Sequence, residues 1–343
     1  MTLKRRRKIG LPAALAIALL FAALLAGCGR NEGATKIRIG EVTRSLFYAP
    51  EYVAIEKGFF EEEGLEVELT TTFGGDKTMT ALLSGTIDVA LVGSETSIYV
   101  YQQGADDPVI NFAQLTQTDG TFLVARELDG EFDWNMLKGS VFLGQRKGGM
   151  PQMAGEFTLK KNGIDPHADL DLIQNIDFAN IAAAFASGTG EYVQLFEPQA
   201  SIFEREGKGR VVASFGVESG KLPYTVFMAK QSYIDKNREA IQKFTNAVYK
   251  AQQWVRDNDA ETIADVVLPY FEDVDRDIVV SSIDRYKSQG SFAEDPIVDE
   301  SEWNNLLDVM TSAGELAKRT EHQELVDTAF AETAIGKAAG QGD

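Results

Sequence analysis

The sequence has one cysteine and two histidines in 343 residues, and its 33 lysines and arginines are outnumbered by 52 aspartates and glutamates. One cysteine cannot close an internal disulfide, form a redox pair or build a cysteine-based zinc site. His167 and His322 are too far apart in sequence to promise a histidine-based site, so no metal or cofactor is expected. A net charge of −19 lacks the basic footprint needed for attraction to DNA, RNA or anionic lipid. Also missing are a Gly-x-Ser-x-Gly elbow, a P-loop, a Gly-x-Gly-x-x-Gly fingerprint and a His-Glu-x-x-His pair. Acid pairs alone identify no glycosidase or protease in a chain this acidic. No catalytic residues are expected, and the partners should be small molecules or proteins.

What is present is a globular composition, 44% hydrophobic and 25% charged, long enough for two domains or one large one. Residues 1–27 open with Lys4, Arg5, Arg6, Arg7 and Lys8 and continue as a small, apolar stretch from Leu11 to Ala26, the pattern of a secretory signal. That stretch is shorter than the roughly 20 residues a membrane-spanning helix needs. Leu25-Ala26-Gly27-Cys28 resembles the lipobox of bacterial lipoproteins, which implies cleavage after Gly27 and lipid attachment, including palmitate, at Cys28. Removing residues 1–27 takes five cations with it and moves the net charge to about −24. Residues 28–35 read as a polar tether and 336–343 as a disordered tail.

Between them, short apolar runs alternate with segments of helical period, which predicts an α/β fold with mainly parallel sheets. Strands are expected at 36–41, 65–72, 87–93, 109–115, 121–127, 140–144, 171–175, 192–196, 211–215 and 224–230. Helices are expected at 50–60, at 76–85 closed by Gly85, and at 94–104 with Ser94 as N-cap. The chain beyond Lys230 reads as helical, most clearly over 238–257. The restart of the βα series and its return predict two lobes with the second inserted into the first. Lobe one takes 36–122 and 229–335, lobe two takes 123–228, and 121–127 and 224–230 cross between them.

Three segments carry a family resemblance: the first strand, loop and helix ending in KGFFEEEGLEVEL, the run ALLSGTIDVALVGSE (81–95), and FEP (196–198). Together they resemble the substrate-binding proteins of bacterial ABC importers, in the group that handles nitrate, sulfonates, taurine and thiamine pyrimidine precursors. The resemblance implies a periplasmic-binding-protein type II fold, a Venus flytrap that closes on a solute and delivers it to a permease with its ATPase. It also implies a monomer held by lipid on the outer face of the cell membrane, as suits a bacterium without a periplasm. The alternatives are a pyrimidine-precursor binder, a pyrimidine-synthase-like enzyme and a lipoprotein sensor. The loop TRSLFYAPEY has no histidine, and no cysteine-rich motif is present, which argues against the enzyme.

In such folds ligands meet loops at the carboxyl ends of strands and the amino ends of helices. That rule nominates Ser45, Phe47 and Tyr48 after the first strand, Phe73, Gly74 and Gly75 after the second, and Ser94 and Glu95 after the third. It adds Gln117 and Asp119 before the crossing strand, then Arg146, Gly148, Gly149 and Met150, with Phe196 and Glu197, in the second lobe. Phe47 and Tyr48 could equally staple a helix, Arg146 and Lys147 could be solvated, and Glu197 could hold the lobe. The expected solute is a small organic or oxyanionic molecule. If it is an anion, Arg146, Lys147 and helix-terminal amides must supply the positive field.

Overall fold

The computed structural model describes residues 34–340. The expected signal segment and Cys28 lie outside the described residues. Ten strands are present: β1 (Thr35–Glu41), β2 (Leu65–Thr71), β3 (Val89–Gly93), β4 (Val109–Thr116), β5 (Thr121–Ala125), β6 (Val141–Leu143), β7 (Asp171–Ile173), β8 (Tyr192–Phe196), β9 (Arg210–Ser214) and β10 (Thr225–Lys230). They form two five-stranded sheets, ordered β2-β1-β3-β10-β4 and β7-β6-β8-β5-β9. The chain leaves the first sheet after β4, builds the second from β5 to β9, and returns with β10, so the second lobe is inserted in the first.

Each sheet is mixed. β1 runs parallel to β3, and β6 runs parallel to β7 and β8. The antiparallel strands are the two that enter from the other lobe: β10 opposes β3 and β4, and β5 opposes β8 and β9. A strand arriving from outside the sheet is free of the crossover helix that forces its neighbours parallel. Every residue of β3, β4 and β5 is buried, in keeping with nearly unbroken apolar runs covered on both faces. At the sheet edge, β2 alternates: Leu65 is buried, while Glu66, Glu68 and Thr70 are exposed.

Three local expectations are corrected. The helix expected over 50–60 is two pieces, Ala49–Glu56 and Phe59–Glu62, because Gly58 at φ 70° takes the left-handed turn between them. Ser94 does not cap the helix Glu95–Gln102 with its side chain; it is itself in the helical region, and its hydroxyl donates to the Pro223 carbonyl in the segment that returns from the second lobe. The chain also continues as helix into the tail expected to be disordered. Ala329–Ala339 is rich in alanine, and Lys337 pairs with Glu63 Oε1 at 2.9 Å.

No strand follows Lys230 among the described residues, and the helices there cover the first sheet and reach the second lobe. The helix Arg238–Asp257 buries Ala240, Ile241, Phe244, Ala247, Val248, Ala251 and Val255, at spacings that line one face. Phe244 is fully buried, with ring centroids 4.9 Å from Phe60, 4.9 Å from Phe227 and 5.8 Å from Phe112. It therefore joins the helix to β4, β10 and the first βα unit. Phe244→Ala should lower the unfolding free energy by about 3–5 kcal/mol. Urea unfolding checks this, and a loss below about 1 kcal/mol would show that the face is not packed as described.

Candidate functional site

The lobes are joined by residues 117–120 between β4 and β5 and by residues 215–224 between β9 and β10. The first connection is tight. A Cβ at Gly120 would come within 2.8 Å of the Phe47 ring and 2.9 Å of Phe196, so the glycine lets a ring from each lobe close over the backbone. The helix Arg276–Ser288 then ties the connection to the second lobe. Tyr286 Oη accepts from the Glu197 amide at 3.0 Å and donates to the Gly120 carbonyl at 3.1 Å. Arg285 reaches Glu197 Oε1 at 2.7 Å and Glu204 Oε2 at 2.5 Å.

A cleft of about 530 Å³ opens between the loop after β1 and the second lobe, lined by Arg44, Ser45, Gln145, Phe178, Phe196 and Glu197 among others. Behind it stands an aromatic wall. Phe47 lies 5.4 Å from Tyr224, 5.1 Å from Tyr286 and 5.9 Å from Phe196, centroid to centroid. Ser45 fixes the turn that presents Phe47: its hydroxyl accepts from the Phe47 amide at 3.2 Å, and its own amide donates to Tyr52 Oη at 3.1 Å.

Around this wall the site is acidic. Glu41 is tied on every side, accepting from Tyr52 Oη and Thr71 Oγ1 at 2.6 Å each, with Arg44 Nε 3.3 Å from Oε1. Arg44 also lies over the rings of Tyr52 and Tyr270, 5.3 and 4.8 Å from their centroids. Glu51, on the next helix, is wholly buried and neither carboxyl oxygen has a partner. Burial pushes its carboxyl well above the usual range, and the nearby Glu41 adds to that.

Glu95 reaches across the lobes. Its Oε1 accepts from the Met150 amide at 3.2 Å, while its buried Oε2 has no partner. Met150 begins the helix Met150–Lys161 of the second lobe, so the carboxyl sits at a helix amino terminus. A Cβ at Gly93 would overlap that carboxyl, so the glycine makes its room. Burial raises the Glu95 pKa to about 7 against the opposing pull of the amides. Asp119 Oδ1 accepts from the Thr121 amide at 2.6 Å and from its hydroxyl. Burial raises its pKa to about 6, and the Tyr224 phenol faces it just short of hydrogen-bond geometry.

The nominated residues thus fall into three groups. Ser45, Phe47, Tyr48, Glu95, Asp119, Met150 and Phe196 converge on the interlobe region. Gln117, Ser94 and Glu197 are buried and used in holding the connections: Gln117 Nε2 donates to the Gly290 carbonyl at 3.0 Å, and Glu197 is saturated by Arg285 and Ser201. Phe73, Gly74, Gly75, Arg146, Gly148 and Gly149 lie on the turns after β2 and β6 and do not line the cleft. Phe73 is 72% exposed at φ 61°, and Gly148 at φ 88° donates its amide to Gln152. Gly74, at φ 148°, and Gly75 begin the helix Gly75–Ser84, and Gly149 precedes Met150. Arg146 lies 3.7 Å from Asp76 and 3.5 Å from Asp177, so its charge is already opposed from both lobes.

Sequence reasoning missed Glu41, Arg44, Glu51, Tyr224 and Tyr286. Glu51 in APEYVA is an acid in a helix's first turn, the place where a surface carboxylate complements the dipole, and only the packing of that helix reveals it as buried. Among the described residues, no group of three histidine, cysteine, aspartate or glutamate side chains could hold a metal ion, and no helix is long and apolar enough to cross a membrane.

A model of the NMT1-like family matches residues 30–268. "Putative binding protein YtlA" of Bacillus subtilis (strain 168) is 61% identical over 330 residues, covering 96% of this chain and 98% of that protein. The formylaminopyrimidine-binding protein of Halalkalibacterium halodurans is 24% identical over 266 residues, covering 73% and 76%. Among solved structures, the periplasmic nitrate-binding protein of Synechocystis superposes with TM-score 0.72 at 19% identity, covering 89% of each chain. The ligand-binding component of an ABC-type import system from Staphylococcus aureus superposes with TM-score 0.71 at 16% identity, covering 88% of this chain and 99% of that one.

The Glu95 environment gives a pH test. Its carboxyl titrates at about 7 in the folded chain against a reference of 4.5, so the native state keeps a proton that the unfolded state loses. The stability contributed is full below pH 4.5 and is lost as pH rises through 7, by about 1–3 kcal/mol. The corresponding window for Asp119 runs from 3.8 to about 6. Glu95→Gln should therefore remove the decline between pH 6 and 7.5 in chemical unfolding while leaving the lower part. An unchanged slope there would place the Glu95 carboxyl in water.

Proposed function

The chain belongs to the NMT1-like family, and from that premise we propose that it is the extracytoplasmic solute-binding lipoprotein of an ABC importer, taking up a small organic or oxyanionic solute. The observation that carries this reading is the cleft between two lobes joined by two connections, lined by Arg44 and Ser45 from the first lobe and by Gln145, Phe178, Phe196 and Glu197 from the second. Such an arrangement opens and closes about its connections, and closure around a solute gives a permease a distinct shape to read. Residues 117–120 and 215–224 are the hinge, with Gly120 sparing the backbone a clash with Phe47.

The lipid anchor rests on the sequence LAGC at 25–28. Two acyl chains on Cys28 would hold the carrier at the membrane durably, since each buried methylene contributes about 0.8 kcal/mol. The many surface carboxylates suit docking to a permease that presents arginines.

Two experiments test this. Cys28→Ser should abolish labelling by radioactive palmitate and release the protein to the medium; retained label in the variant would rule out the anchor. A thermal-shift screen of the protein against nitrate, sulfonates and amino-pyrimidines should find a solute that stabilises it by about 2.7 kcal/mol at 100 times its dissociation constant. Conversion of that solute into a product would overturn the carrier reading.

A further inference from the structure

The two walls of the cleft differ in chemistry. On the first lobe's side the turn after β1 supplies Thr43, Arg44 and Ser45. On the second lobe's side the wall is largely apolar, formed by Phe178, Ile181, Ala183, Leu195, Phe196 and Ile202. Phe178 is 45% exposed although its ring packs 5.7 Å from that of Phe196, centroid to centroid. An aromatic ring left open in a concave apolar wall is surface that the apolar body of a solute covers on binding. The polar groups on that wall are already matched. Glu197 is held by Arg285 and Ser201, Glu206 by Lys208 at 2.6 Å, and Gln145 donates its side-chain amide to the Gln194 carbonyl at 2.7 Å.

Arg44 is not matched in this way. Its guanidinium is fixed in place, with Nε 3.3 Å from Glu41 Oε1, Nη2 3.5 Å from Thr71 Oγ1, and the rings of Tyr52 and Tyr270 against it. Nη1 is buried and has no hydrogen-bond partner among the described residues. The contact with Glu41 is a shared one, because that carboxylate also accepts from the Tyr52 and Thr71 hydroxyls at 2.6 Å. Glu51 makes no hydrogen bond to Nη1, and burial holds it toward its neutral form. A buried guanidinium nitrogen with its N–H groups unmet calls for an acceptor. Beside it, the Ser45 hydroxyl accepts from the Phe47 amide and keeps its own proton to give.

Resting on the carrier reading above, we infer that the solute is an organic acid with one carboxylate head and a flat apolar body, the head held by Arg44 and the Ser45 hydroxyl and the body lying against Phe178 and the helix Ile181–Ala186. The donors come from one wall, so they suit a head whose acceptors share one edge. A carboxylate presents both oxygens in one plane and takes them as charge-assisted hydrogen bonds. A tetrahedral sulfonate spreads three oxygens and turns one toward the apolar wall, where it finds no donor. A bare oxyanion such as nitrate fills little of a cleft of about 530 Å³ and leaves Phe178 uncovered. An organic cation meets Arg44 as a like charge.

Head and body are tested separately on the full chain in detergent, by melting-temperature shift and calorimetry. Benzoate should bind, benzenesulfonate at least tenfold more weakly, and benzamidine should leave the protein unshifted. The larger flat body of 2-naphthoate should bind more tightly than benzoate, and Phe178→Ala should remove that advantage. Arg44→Gln should lower the benzoate affinity tenfold or more. That change also strips Glu41 of its cation, so a second variant leaves the core alone. Ala183 is exposed on the apolar wall, and Ala183→Glu should keep the melting temperature of the empty protein while lowering the benzoate affinity tenfold or more by charge repulsion; Ala183→Gln should not. Benzoate affinity unchanged in both Arg44→Gln and Ala183→Glu would overturn the assignment, as would tighter binding of benzenesulfonate or benzamidine. A solute of the earlier screen that binds where neither carboxylate does overturns the head group and leaves the carrier reading standing. If neither the carboxylates nor any solute of that screen binds, the carrier reading fails with it.

Discussion

The contact on which the rest of the arrangement depends is the Glu95 carboxyl on the first amide of the helix Met150–Lys161. It joins the end of β3 in one lobe to a helix start in the other, and it does so with a group that water would hydrate better. A buried polar group without a full set of partners costs about 1–3 kcal/mol. The lobes therefore meet through an interaction that is only half satisfied, since Oε2 is left without a donor. A fully saturated contact would lock the lobes, and an apolar one would make the closed state stable without a solute.

The connections on either side behave differently. Glu197 accepts from Arg285 and from both donors of Ser201, while Tyr286 links the Glu197 amide to the Gly120 carbonyl. Every oxygen of that carboxylate is used, and Arg285 offsets the cost of its burial. Ser94 donates to the Pro223 carbonyl in the returning connection, and Gln117 Nε2 donates to the Gly290 carbonyl. Satisfied polar groups at Glu197, Ser94 and Gln117 tie the connections down, while Asp119 Oδ2 and Tyr224 Oη, which lie in the same connections, have no hydrogen-bond partner.

Much of the scaffold was legible because its signals are local. The nearly unbroken apolar runs of β3, β4 and β10 mark strands covered on both faces, Gly85 turns the chain at φ 76°, and the period of 238–257 gives one buried helix face. What escaped depended on partners distant in sequence. The break at Gly58 hides inside an apolar run, and the antiparallel sense of β5 and β10 follows from where those strands come from rather than from their composition. The candidate site was legible at strand ends, where position nominates Ser45, Phe47, Glu95, Asp119 and Met150, which the fold brings together between the lobes. It was not legible in Glu51 and Tyr224, because nothing in the flanking residues says that an acid in a first helical turn or a tyrosine after Pro223 will be buried. Arg146 reads from sequence as a cation for anions and is held between Asp76 and Asp177 in the fold.

The central claim, that two lobes meet through a protonatable and incompletely satisfied contact, is tested most directly by a distance across the cleft. Spin labels can be placed at Leu83 in the first lobe and Met136 in the second, both more than two-fifths exposed, in a Cys28→Ser background. The account predicts a single short separation at pH 5, where Glu95 is neutral, and a longer, broader distribution at pH 8, where the buried carboxyl ionises and draws water between the lobes. The same narrow distribution at both values would contradict it.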